Sequence, residues 1–358
     1  MKTVHSRALA GLAIGAALML MATGCSTVGE AGANPGSGPA SEYMVAKKTE
    51  ALRIGFSNSF AGNSWRTQMV EELKYAIDTK YKKDVAKITI TDANNSVSAQ
   101  LSQINDLLTS GIDVLLIDAA SATALNGAID RAHKQGVLVV SFDNSATSKH
   151  GIVVNPSQEE FGRIGGEFLA EHLKKGDTVF TLDGAAGSPV NDDRLAGAKK
   201  ALAAAGISVV AGATTDWDQA KGQAATANLI SAHPDVKGIY SQGGAATLGA
   251  LNALEQRGAQ LVPITGEGYN GFLKVWKKLS DEKGFTSVAP SNPPSLSVTA
   301  LDIAIKAMRG EDPGQAPKVK LPVVTQENLN DYVRTDLSDS LWLPTSLPEE
   351  VLQRLYKQ

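Results

Sequence analysis

The stretch Leu52-Arg53-Ile54-Gly55-Phe56-Ser57, followed by an apolar series at Trp65, Met69, Val70, Leu73, Ala76 and Ile77, sets two periodicities side by side. The first reads as a short buried strand and the second as one face of a helix, because side chains three and four apart share a helical face. Ile88 to Thr91 returns to strand, and Val97, Leu101, Ile104 and Leu108 form the next helical stripe, which Gly111 stops. Strands are then expected at 112–117 and 137–142 around a helix at 125–132. The second half repeats the grammar. Strands are expected at 178–182, 208–211, 238–241, 262–265 and 286–289, with helices at 193–205, 219–232, 245–256 and 271–279. Ser157 and Glu160 have capping-box spacing ahead of Phe161, so another helix starts there. Ser291-Asn292-Pro293-Pro294 is a rigid break, after which Leu296, Ala300, Ile303 and Ala307 fall in helical register; the tail from Leu321 is less regular. Strand and helix in strict alternation predict an α/β chain of two doubly wound lobes, each a parallel sheet covered on both faces.

Composition agrees with that size of fold. The chain has 358 residues, 43% hydrophobic and 20% charged, which favours two lobes over one and a folded over a disordered chain. A net charge of -3 gives no basic footprint for nucleic acid. One cysteine excludes an intramolecular disulfide and any multi-cysteine zinc site, and none of the five histidines has metal-ligand spacing with another. Neither a Walker loop nor a G-x-S-x-G elbow is present. No metal and no cofactor is expected.

The amino terminus is expected to be processed. Lys2 and Arg7 precede an apolar run from Ala8 to Ala22, the layout of an export signal over residues 1–24. Ala22-Thr23-Gly24-Cys25 resembles a bacterial lipobox, which implies diacylglycerol on Cys25, cleavage before it, and a protein held on the outer face of a bacterial cell membrane. Cleavage would move the charge from -3 to -5. Residues 25–50, rich in Gly, Ala, Ser and Pro, are expected to be a flexible tether.

In open parallel sheets the ligand groups come from loops beyond the strand carboxyl ends. In the first half those places hold Ser57, Asn58, Asn63, Trp65, Arg66, Asp143 and Asn144; in the second they hold Asn191, Asp192, Asp193, Arg194, Trp217, Gln242, Glu267 and Asn270. Two of the four Trp stand at these mouths beside Asp, Asn and Arg, although only 5% of the chain is aromatic. Charged and amide groups suit hydroxyls, and an indole suits the C–H face of a sugar or polyol. Each residue has a structural alternative as well: Trp65 starts a core stripe, Arg194 stands where a helix-start ion pair would form, and Asp143 and Glu267 stand where caps would. Gly266-Glu267-Gly268-Tyr269-Asn270-Gly271 is a literal G-x-G-x-x-G, but it does not open the first strand-helix unit and has no acidic partner about 20 residues on.

These residues bring the chain close to a known family. Ile54-Gly55-Phe56-Ser57 with Asn63-Ser64-Trp65-Arg66, Val140-Ser141-Phe142-Asp143, Asp183-Gly184-Ala185-Ala186-Gly187, Asp216-Trp217-Asp218, Ala232-His233-Pro234-Asp235 and Leu248-Gly249-Ala250, in that order, resemble the periplasmic sugar-binding proteins of ABC importers, of the ribose- and galactofuranose-binding type, from Leu52 to Leu321. The resemblance implies a type I periplasmic binding protein fold whose lobes are joined by three hinge segments, near 151–155, 289–293 and 321–324. The first lobe would be 51–153 plus 291–321 and the second 154–290 plus 322–358. It also implies a monomeric, non-enzymatic protein that closes on a small sugar or polyol and delivers it to permease subunits. Ser57, Asn63, Trp65, Arg66, Asp143 and Asn144 would line one wall, and Arg194, Trp217, Gln242 and Glu267 the other. Where ribose binders have Asn-Asp this chain has Gly243-Gly244; Glu267 replaces an Asp and Pro290 a hinge Gln. A sensing role for a membrane receptor, or a nucleotide-dependent enzyme using the Gly266 loop, are the alternatives.

Overall fold

The computed structural model describes residues 41–357. The expected export signal, Cys25 and most of the tether lie outside the described residues.

Two parallel sheets carry the chain. The first holds β1 (Leu52–Asn58), β2 (Val85–Asp92), β3 (Val114–Ile117), β4 (Leu138–Phe142) and β5 (Ile152–Val154) in the order β2-β1-β3-β4-β5. The second holds β6 (Thr178–Asp183), β7 (Ser208–Thr214), β8 (Gly238–Ser241), β9 (Ile264–Thr265), β10 (Ser287–Pro290) and β11 (Val323–Val324) in the order β11-β10-β9-β8-β6-β7. β11 alone pairs antiparallel, along β10. Without it the two sheets have the same winding, with the strand order stepping outward from β1 in one and from β6 in the other. β3 and β4 are buried along their whole length, as strands covered on both faces must be.

Helices α1 (Ser64–Asp78), α2 (Val97–Thr109) and α3 (Asn126–Lys134) cover the first sheet, and α4 (Gln158–His172), α5 (Pro189–Ala204), α6 (Gln219–Ala232), α7 (Gly244–Gln256) and α8 (Asn270–Lys283) the second. Helix α9 (Leu296–Met308) follows β10 of the second sheet, yet packs on α1, β3, β4 and β5 of the first. The chain therefore passes between the sheets three times: after β5, after β10 and before β11. Two short helices, α10 (Leu329–Tyr332) and α11 (Glu349–Tyr356), lie in the tail.

Local sequence explains the element ends. Ser157 caps α4 by accepting from the Glu160 N–H at 3.1 Å, while the Glu160 carboxylate turns to Arg163 instead of closing the box. Helix α5 starts at Pro189, four residues before the expected Asp193, because a proline at the first helical position needs no N–H partner. Asn191, Asp192 and Arg194 consequently stand on its first turns and not in a loop. Residues 41–50 depart from the expected flexible tether. Tyr43, Met44 and Val45 pack on the core, Tyr43 donates to Asp312 at 2.7 Å, and Lys48 N donates to Met308 O at 2.8 Å. The apolar triplet supplies the burial that the Gly- and Pro-rich stretch before it lacks.

Candidate ligand-binding cleft

The carboxyl ends of the two sheets face each other, and polar side chains meet there. From the first lobe, Arg66 on α1 forms ion pairs with Asp118, which directly follows β3, and with Asp143, which follows β4, the latter at 2.7 Å. Asn63 caps α1 by accepting from Arg66 N at 2.9 Å, which fixes the helix start that presents Arg66. Asn144 donates to Asp118 at 3.3 Å and to Asp143 at 3.2 Å. Asp143 sits at a φ of 54, a left-handed backbone that aspartate tolerates better than most side chains.

From the second lobe, Arg194 on α5 lies with its guanidinium 3.7 Å from the Phe161 ring centroid. It donates to Gln158 Oε1 at 2.8 Å, to Gln242 O at 2.7 Å, and to Glu267 by two bonds of 3.1 and 3.3 Å. Gly162 lets α5 come this close, since a Cβ there would lie 1.9 Å from Arg194 O. Burial pushes the Glu267 carboxyl up, opposed by Arg194 and by the N–H of Asn292. Burial likewise pulls Arg66 down, opposed by Asp143.

Two bridges join the walls. Ser188, ahead of α5, donates its hydroxyl across the cleft to Asn144 Oδ1 at 2.7 Å and does not cap its own helix. The hinge residue Asn292 donates to Asp143 at 2.6 Å through its amide and to Glu267 at 3.1 Å through its backbone. Its carbonyl accepts from Trp65 Nε1 at 2.8 Å.

Trp217 and its neighbour Asp216 both adopt positive φ, 56 and 50, which turns the indole onto the ends of β6 and β8. A Cβ on Gly184 would lie 2.1 Å from that ring and one on Gly243 2.5 Å, so the two glycines make room for the indole. Trp217 Nε1, Gln242 Oε1 and Asn292 Oδ1 are buried with no hydrogen-bond partner in the protein. Buried polar atoms are almost always paired, so these three are left able to bond a molecule held at the strand ends.

Other expected site residues have different duties. Ser57 Oγ accepts from Gln100 at 3.1 Å, beneath the sheet end. Asn58 donates to Phe60 O and Asp92 at 2.8 and 3.1 Å and leaves its oxygen unpartnered. Asn270 is committed to the tail: its amide donates to Arg334 O, Leu337 O and Ser338 O and accepts from Arg334 N. It is therefore removed from the ligand set. Sequence reasoning passed over Asp118, Gln158, Ser188 and Asn292. Asp118 had a signal, standing directly after a strand, and Asn292 lay inside a segment read only as a break. Among the described residues, no group of three or more His, Cys, Asp or Glu side chains is placed to hold a metal ion, and no helix is long and apolar enough to cross a membrane.

Comparison with known proteins agrees with this architecture. The model of the periplasmic binding protein domain matches residues 54–312. The ribose import binding protein of Bacillus subtilis is 30% identical over 275 residues, covering 76% of this chain and 87% of its own length. A solved ABC transporter solute binding protein from Thermobispora bispora superimposes with a TM-score of 0.73 at 25% identity, covering 85% of this chain and 94% of that one. Another, from Mycobacterium smegmatis with bound glycerol, gives 0.70 at 24% identity, covering 80% and 98%. With two lobes of matching winding, a polar seam between their strand ends and these matches, the chain belongs to the periplasmic binding protein domain family.

Proposed function

We propose that this protein captures a small, uncharged sugar or polyol by closing its two lobes on it and hands it to an ABC permease. One observation carries the reading: at the seam between the strand ends, buried Trp217 Nε1, Gln242 Oε1 and Asn292 Oδ1 offer one donor and two acceptors that nothing in the protein satisfies. A hydroxyl both donates and accepts, and so fits this mixture. Both guanidiniums are matched by carboxylates, Arg66 by Asp118 and Asp143, and Arg194 by Glu267, so no free cation awaits an anionic ligand. The remaining contacts come from Asn58 Oδ1, which is also unpartnered, and the faces of Trp65 and Trp217. The ligand favours closure because its bonds reach both lobes at once; equal affinity for open and closed forms would shift nothing. Lipid attachment at Cys25, within the Ala22–Cys25 motif, would keep the closed form near the permease.

A thermal-shift screen of the purified protein against neutral pentoses, hexoses and small polyols tests this. Binding to the folded state alone raises the melting temperature, by about 2.7 kcal/mol of stabilisation at a ligand excess of roughly 100 Kd. At least one neutral compound is expected to raise it in a saturable way. A flat response across all three classes would contradict the proposal.

A further inference from the structure

Beyond Glu267, whose carboxylate pairs with Arg194, the Gly266–Gly271 stretch is tied down by backbone hydrogen bonds. Its neighbours are tail residues. Leu343 N donates to Gly268 O at 2.6 Å, Asn270 N to Leu341 O at 2.8 Å and Gly271 N to Asp339 O at 3.0 Å. A Cβ on Gly268 would lie 2.0 Å from Leu343 O, so the glycine is what lets the tail lie flat on the loop. The first N–H groups of α8, where a phosphate would sit in a dinucleotide fold, are thus occupied by backbone carbonyls of the protein itself.

The same tail segment is fastened to the other lobe. The Gln68 amide on α1 donates to Trp342 O at 2.9 Å and accepts from Trp342 N at 2.8 Å. Trp342 Nε1 donates to Ser64 Oγ at 2.9 Å. Glu72 accepts from Thr345 Oγ1 at 2.8 Å, from Ser346 N at 3.0 Å and from the Ser346 hydroxyl. Gln68 and Glu72 are both fully buried, at 0% exposure.

We propose that residues 337–347 are a strap that joins the lobes a fourth time, beyond the three covalent crossings, and limits how far they part. Its two anchor points are the helix that presents Trp65 and Arg66 and the loop that follows Glu267. Gln68 and Glu72 are positioning residues: they act through the strap on the spacing of the two halves of the cleft. Parting the lobes at this edge would strip the buried Gln68 amide and the buried Glu72 carboxyl of their partners, which opposes opening there. Opening is therefore directed to the face of the cleft away from the strap. This property belongs to the protein without ligand, so it holds whichever compound the cleft takes and goes beyond the proposed sugar binding.

The test is small-angle X-ray scattering from the full chain with no sugar present. The double variant Gln68→Ala, Glu72→Gln is expected to show a larger radius of gyration and a broader pair-distance distribution than the parent while keeping a cooperative melt. Gln353→Ala, whose bonds to Asp336 and Glu349 stay within the tail, is expected to superimpose on the parent. Curves from the folded double variant that superimpose on the parent would overturn the proposal, as would equal expansion in Gln353→Ala. If the double variant fails to fold, Ser64→Ala and Gln68→Ala measured singly decide it: expansion in Gln68→Ala supports the strap, and unchanged scattering from both refutes it.

Discussion

Arg194 spends four N–H bonds inside the protein, on Gln158, Gln242 O and the two oxygens of Glu267, which leaves one of its five donors for a ligand. Its main work is to hold the second wall in shape while cancelling a buried carboxylate. Arg194→Ala should therefore destabilise the fold by about 3–5 kcal/mol, because buried Glu267 loses its counter-charge and keeps only the Asn292 N–H as a partner. Adding Glu267→Gln should return much of that stability, since a neutral amide is far cheaper to bury, yet leave ligand affinity reduced. Urea unfolding and calorimetry on the two variants separate these effects; recovery of both stability and affinity in the double variant would show that neither residue shapes the site. The sequence made Arg194 and Glu267 visible as candidates because each follows a strand. It did not make them visible as a pair, since 73 residues separate them and only the fold brings them together. Asn270 was misread for the converse reason. It stands beyond a strand end like the others, but its partners at 334–338 lie in a region with no regular pattern.

Among the elements, α1 does more than its apolar stripe announces. Trp65, Met69, Leu73, Ala76 and Ile77 bury on the core as the 3.6 period requires, while Gln68 and Glu72, one turn apart, face the tail. Burial raises the Glu72 carboxyl pKa, and the partners that pull it back, Ser346, Gln68 and Thr345, carry no positive charge. The folded state thus holds this proton more tightly than the unfolded chain, where a glutamate titrates near about 4.3. The stability it contributes is full below that value and is lost as pH rises through the raised native pKa. In Glu72→Gln, the unfolding free energy should accordingly fall less than in the parent as pH rises above the range in which an unfolded glutamate titrates. Parallel pH dependences from urea denaturation would contradict this. Elements with strong local signals were legible from sequence to within a few residues. The start of α5 was not, because its surface is Ala-rich and the Ser188-Pro189 boundary is the only sharp mark. The strap was not legible, since 337–347 has no regular period and the partners of its Trp342, Thr345 and Ser346 lie far away in sequence, at Ser64, Gln68 and Glu72.

At the scale of the whole molecule, the two sheets share one winding, and the chain crosses between them so that α9 returns to the first lobe. Strand-helix alternation made the two lobes readable, and the Ser291–Pro294 break marked one crossing. The seam between the lobes depends on pairings that no local pattern encodes: Ser188 with Asn144, Asn292 with Asp143 and Glu267, and Arg66 with Asp118. These pairings make the cleft polar and set two guanidiniums against three carboxylates, so no cation is free for an anionic ligand and the proposed ligand is a neutral hydroxylated one. Calorimetric titration of the protein with a neutral sugar or polyol that raises its melting temperature, and in parallel with the phosphorylated form of the same compound, tests this most directly. The predicted result is saturable one-to-one binding of the neutral compound and no measurable binding of its phosphate. Equal or tighter binding of the phosphate, or no binding of any neutral compound, would contradict the account.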